Sequence, residues 1–224
     1  MPQMSTTTLT AVAIATALLG AGCSAAPDDT VPVQTSAPLA ARKHAAPAAD
    51  SPGSIESATF NGTGCAGNSA AGAISPDTLA LTSTFSDFLA AVGPGNEPDA
   101  ASRNCLITVN VNVPAGWSYA LNGVDYRGFA ALDSGVMATR KSLYMISGSP
   151  VHVTPPARLK GPFSDDFAQT DVGPDAPGVW SPCGGGQVLW VAAQTEVSNG
   201  GHASRQGQIT IDSIDTELQW RRCQ

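Results

Sequence analysis

Ile107-Thr108-Val109-Asn110-Val111-Asn112-Val113 alternates β-branched apolar side chains with short polar ones without a break. Successive side chains of a strand point to opposite faces. Ile107, Val109, Val111 and Val113 therefore share one face, and Thr108, Asn110 and Asn112 share the other. This is the pattern of an antiparallel sheet covered on one side and solvated on the other. Pro114-Ala115-Gly116 stops the run and Trp117-Ser118-Tyr119-Ala120-Leu121 resumes it. Asn122-Gly123 then reads as a two-residue hairpin turn ahead of another strand at 126–132. Further strands are expected at 58–61, 78–85, 141–147, 151–154, 188–197, 208–211 and 217–222. Breakers such as Gly93-Pro94-Gly95 and Gly184-Gly185-Gly186 punctuate the gaps. One helical turn is expected at 85–92. Many short strands between turn signals mean an all-β fold, an antiparallel β-sandwich of jelly-roll-like form, with an open barrel as the rival.

The chain has five cysteines. Cys23 closes a short apolar run, and Cys65, Cys105, Cys183 and Cys223 are spread over the foldable part. Zinc sites need close pairs such as C-x2-C, which are missing, so disulfides are expected. Four cysteines allow three pairings, and the sequence does not choose strictly among them. Cys65–Cys105 with Cys183–Cys223 is favoured because it ties down the C-terminus, closing two loops of about 40 residues.

Residues 9–19 form an apolar stretch of about eleven residues, the length of a signal-peptide core and well short of a membrane span. Small residues precede Cys23 in Leu19-Gly20-Ala21-Gly22-Cys23, as a lipoprotein signal requires, although no Lys or Arg precedes the run. Residues 1–23 are thus expected to be a signal peptide with Cys23 as the lipidation site. Ordinary cleavage near Ser24-Ala25-Ala26 stays open. The Ala/Pro-rich stretch 24–53 has too little apolar surface to fold and reads as a disordered stalk. Residues 54–224 are then one domain.

A net charge of −7 with only 11 Lys and Arg excludes a nucleic-acid partner. The expected place is outside the cytoplasmic membrane, touching it only through an N-terminal lipid. Neither a G-x-S-x-G elbow nor an S-x-x-K motif occurs. His152 and His202 read as solvent-facing. The densest acidic spot is Asp165-Asp166, in a stretch read as the loop 161–167. Hard oxygens there suggest Ca2+ as a rival reading, but the spacing fits no known calcium loop, and no metal or cofactor is assigned. A glycosidase pair drawn from Asp125, Asp165 and Glu196 needs carboxylates about 5 to 9 Å apart. Asp125, Tyr126, Arg127, Phe163, Asp165 and Asp166 are the candidate ligand-binding residues. Trp117, Tyr119, Phe129, Tyr144, Trp180, Trp190 and Trp220 are expected mostly in the core, with any on an exposed face available to stack on sugar rings.

Gly62-Thr63-Gly64-Cys65, Arg103-Asn104-Cys105, Asp125-Tyr126-Arg127-Gly128-Phe129, Lys160-Gly161-Pro162-Phe163, Ser181-Pro182-Cys183-Gly184 and the closing Trp220…Cys223 carry a resemblance. In order and spacing, from about Ser54 to Gln224, they resemble a family of small secreted proteins of bacteria and filamentous fungi, grouped as a domain of unknown function (family four-three-six-zero). The resemblance implies an exported, cysteine-bearing, all-β domain and brings no catalytic residues. The expected function is a non-catalytic envelope module that binds a cell-wall glycan or another surface protein. A secreted hydrolase using a carboxylate pair and a purely structural surface protein are the alternatives.

Overall fold

The computed structural model describes residues 53–172 and 179–223. The expected signal peptide, Cys23 and nearly all of the stalk lie outside the described residues.

Two antiparallel sheets face each other. Sheet A runs β1 (Ser54–Asn61), β5 (Ser102–Val113), β11 (Gly185–Ser198), β7 (Met137–Ile146) and β8 (His152–Val153), with β9 (Ala157–Lys160) also on β7. Sheet B runs β2 (Ala70–Ile74), β3 (Ala80–Phe85), β13 (Ser213–Arg222), β6 (Trp117–Leu132), β12 (Gly207–Thr210) and β4 (Leu89–Val92), with β10 (Phe163–Val172) on the other side of β6. β4 to β7 pass alternately from one sheet to the other, so consecutive strands bury their apolar sides in one shared core. The all-β sandwich read from the sequence is the observed fold.

The alternation at 107–113 behaves as its pattern demands: Ile107, Val109, Val111 and Val113 are all buried against sheet B. Leu189 and Val191 of β11 join them, facing Val124, Tyr126, Ile214 and Leu218 of sheet B. Both disulfides pair as favoured. Cys65–Cys105 has its Cα atoms 5.6 Å apart and Cys183–Cys223 6.2 Å.

Asn122-Gly123 is not a hairpin turn. β6 runs straight through it for 16 residues. Glu217 pairs with Gly123 and Leu218 with Leu121, leaving Asn122 as an extra residue, a β-bulge. The inserted residue changes the parity of the strand. Tyr119 and Leu121 face inward before it, and Val124 and Tyr126 face inward after it. Without the bulge one half of β6 would turn its apolar set to solvent.

Residues 85–92 form no helical turn. Leu89–Val92 pairs with Gly207–Thr210, and this pairing overrides the helix preference of the two alanines. A 3-10 turn lies instead at Pro98–Ala101, with proline at its start, where a missing N–H costs nothing. The stretch 161–167 is not a loop either, since β10 begins at Phe163. β2, β9 and β10 are edge strands with one neighbour each, so they carry no strict apolar alternation.

Gly128 sits on β6 against the end of β12. A Cβ there would lie 2.0 Å from the Thr210 carbonyl oxygen. Gly128→Ala is expected to lower the unfolding free energy by about 1–3 kcal/mol, seen as a lower urea midpoint at unchanged slope.

Candidate functional site

The residues singled out on β6 and β10 fall on two sides of sheet B. Tyr126 is fully buried and faces sheet A. Asp125 and Arg127 point to the opposite, outer side, where Arg127 lies 3.8 Å from Asp215 and Thr82 donates to Asp215 at 2.7 Å. Asp125 is paired directly with Asp215 and accepts a hydrogen bond from Thr170. Asp165 and Asp166 are consecutive strand residues, so their carboxylates point to opposite faces, which removes the shared-cation geometry imagined for a loop. Asp165 pairs with Ala130 and Asp125 with Thr170, five residues along β10. At about 3.4 Å per residue the two carboxylates are about 17 Å apart and on opposite faces. Glu196 belongs to sheet A, where it accepts from Lys141 at 2.8 Å. None of these three carboxylates stands with another as a glycosidase pair. Phe163 lines a cleft of about 700 Å³ at one end of sheet B, with Asn96, Asp133, Ser134, Gln206 and Gln208.

Between the sheets lies a polar cluster that sequence reading missed. Arg140 of β7 is 2% exposed. Its Nη2 donates to Asp171 Oδ1 at 2.5 Å, its Nη1 to Asp171 Oδ2 at 2.7 Å and to Ser142, and its Nε to Gln169 at 3.0 Å. The guanidinium also covers the Tyr126 ring at 3.8 Å. Tyr126 and Tyr144 hydroxyls meet at 2.9 Å, and Tyr144 donates to Asp171 at 2.7 Å. Asp171 is the extra residue of a bulge in β10, which aims its carboxylate at Arg140. Burial pushes the Asp171 carboxyl up, but the Arg140 hydrogen bonds, helped by Ser142, the Arg140 charge and Tyr144, bring it below its ordinary value. Burial pushes both tyrosine hydroxyls up. Asp171 is thus held ionised and Arg140 protonated, and the pair clasps the two sheets.

The outer face of sheet A is different. Asn61, Leu106, Ala192, Leu143 and Val153 stand in one row across five strands, fixed by the register. The next row holds Thr59, Thr108, Trp190 and Met145. Leu106 is 39% exposed and Val153 66%. A groove of about 580 Å³ follows the first row, rimmed by Asn61, Asn104, Lys141 and Gln194. Trp190, one of the scattered aromatics, is half-buried on this open face, whereas Tyr119, Tyr126 and Tyr144 are core. Trp220 packs on Tyr119, and Arg222 and Arg221 cover Trp117 and Trp180.

His152 corrects the sequence reading. It pairs with Tyr144, so it faces inward, its ring 6.1 Å from that tyrosine. Val153 takes the outward position. Alternation there was real, but the apolar residue faces out because this face of sheet A is itself apolar. His202 is exposed in a turn, as expected.

Solved structures overlapping this chain include TmCBM61 in complex with beta-1,4-galactotriose, at 12% identity and a TM-score of 0.26, covering 76% of this chain and 91% of that one. A CBM4 structure overlaps at 14% identity and a TM-score of 0.24, covering 72% and 86%. Overlaps this loose bear on neither ligand nor activity. An uncharacterized secreted protein of Arthroderma benhamiae is 31% identical over 175 residues, covering 75% of this chain and 71% of that protein. The family model described as "Domain of unknown function (DUF4360)" matches residues 52–223, and the chain belongs to that family.

Proposed function

We propose that this protein is an exported, non-catalytic module that binds glycan chains on the outer face of sheet A. The observation that carries this reading is the two adjacent rows on that face. Trp190 with Met145, and Leu106 with Leu143 and Val153, offer apolar surface to the C–H faces of sugar rings. Asn61, Asn104 and Gln194 stand beside them with amides suited to ring hydroxyls. Apolar surface of this kind left open in a folded domain marks a binding site. Export is supported by the two disulfides, by the apolar run ahead of Cys23 and by the relative described as secreted.

The test is affinity electrophoresis of the exported chain through gels containing neutral and acidic polysaccharides. At least one polymer is expected to retard the protein. Trp190→Ala is expected to weaken that binding about tenfold or more, the scale of losing a central aromatic contact. The double variant Asp165→Asn with Asp166→Asn, on sheet B, is expected to bind as wild type. Failure of every polymer, or unchanged binding by Trp190→Ala, would overturn the reading.

A further inference from the structure

We infer that the glycan taken by this face is acidic, a polyuronate whose rings carry carboxylates. The inference rests on the glycan-binding reading above and adds the charge of the ligand.

Charge is divided between the two outer faces. Sheet B carries Asp125, Asp166, Asp215 and Glu217 outward, with Arg127 and, at the end of β13, Arg221 among them. On sheet A, Arg158 pairs with Thr139 and Lys160 with Met137, opposite outward-facing positions of β7. Lys141 follows on β7 itself. Glu196, bonded to Lys141, is the acid beside them. In a chain of net charge −7, three cations gathered on one face make it the favourable side for an anion.

The cations are spaced as well as grouped. Lys160, Arg158 and Lys141 occupy rows at positions 137, 139 and 141 of β7, each row about 7 Å from the next. The apolar row at Leu143 and the Trp190 row at Met145 continue the series in equal steps. A chain laid along β7 would meet charge first and ring-stacking surface next. A phosphodiester polymer without rings would leave Trp190 unused. An anionic membrane would offer headgroup phosphates to the cations and no ring face to Trp190. A sugar acid answers all three kinds of group.

The experiment compares polygalacturonate and alginate with neutral galactan and mannan, using the exported chain in the same gels and by calorimetry. The polyuronates are expected to bind about tenfold more tightly at low salt and to lose that advantage as ionic strength rises from about 0.05 to about 0.5 M. Arg158→Gln with Lys160→Gln is expected to remove about tenfold of polyuronate affinity while leaving neutral-polymer binding and thermal stability unchanged. Equal affinity for neutral and acidic polymers, or a charge variant without effect, overturns the inference while glycan binding stands. Binding to phosphatidylglycerol vesicles or to a teichoic-type polyphosphate in place of polyuronate also overturns it. No binding to any polymer removes the underlying reading instead.

Discussion

Asp171→Asn is expected to lower the unfolding free energy by about 3–5 kcal/mol, the cost of stranding one member of a buried ion pair. The asparagine keeps the shape but leaves the Arg140 guanidinium, 2% exposed, with no counter-charge. Chemical denaturation at neutral pH measures the loss. If the single variant does not fold, Arg140→Met with Asp171→Leu provides the comparison. Removing both charges is expected to restore most of the stability, because the desolvation cost leaves with them. The pair also sets an acid limb. Its carboxyl is lower folded than the ordinary 3.8, so its contribution is complete above that value. It fades as pH falls below about 4 and is gone only under the lowered folded value. The wild-type stability curve should therefore fall in that window, and in Asp171→Asn this part of the slope should be missing.

Removing either disulfide is the second large effect. Each closes a loop of 40 residues, and the chain-entropy account gives about 4 kcal/mol for such a loop, within a usual range of about 2–5. Cys183→Ala with Cys223→Ala and Cys65→Ala with Cys105→Ala are each expected to lower the unfolding free energy by that amount, read from urea midpoint and slope. The two bridges differ in access. Cys65 and Cys105 are 2% and 1% exposed, whereas Cys183 lies open. Graded thiol reductant followed by alkylation and mass spectrometry should label Cys183 and Cys223 first. Equal labelling of all four from the outset would contradict the burial argument.

What was legible in the sequence is what local pattern encodes. Alternation at 107–113 named a strand and the side it buries, and the place of Cys223 beside the C-terminus favoured the pairing observed. The misreadings come from pairings, and from which face is covered, that a local window does not show. Asn-Gly suits a tight turn and a bulge equally, and only the pairing of β6 with Leu218, about a hundred residues on, decides for the bulge. The stretch 161–167 read as a loop because Gly161-Pro162 and the paired aspartates hide a strand that begins at Phe163 and is set by its pairing with β6. His152 was turned the wrong way because alternation gives two faces without saying which is closed. Trp190 could not be told from the core aromatics for the same reason. Its exposure follows from sheet A having no layer over that side among the described residues.

β13, the closing strand of the domain, sits inside sheet B, between β3 and β6, and not at its margin. Until residues 213–222 arrive, the hairpin of β2 and β3 has nothing in its sheet to dock on. Completing sheet B therefore requires pairing between distant parts of the chain, the kind of contact that folds slowly in β proteins. Late closure leaves the first two hundred residues without their central strand until the last segment pairs. The final strand acts as the latch, and the bond from Cys183 to Cys223 bolts it once the surroundings turn oxidising.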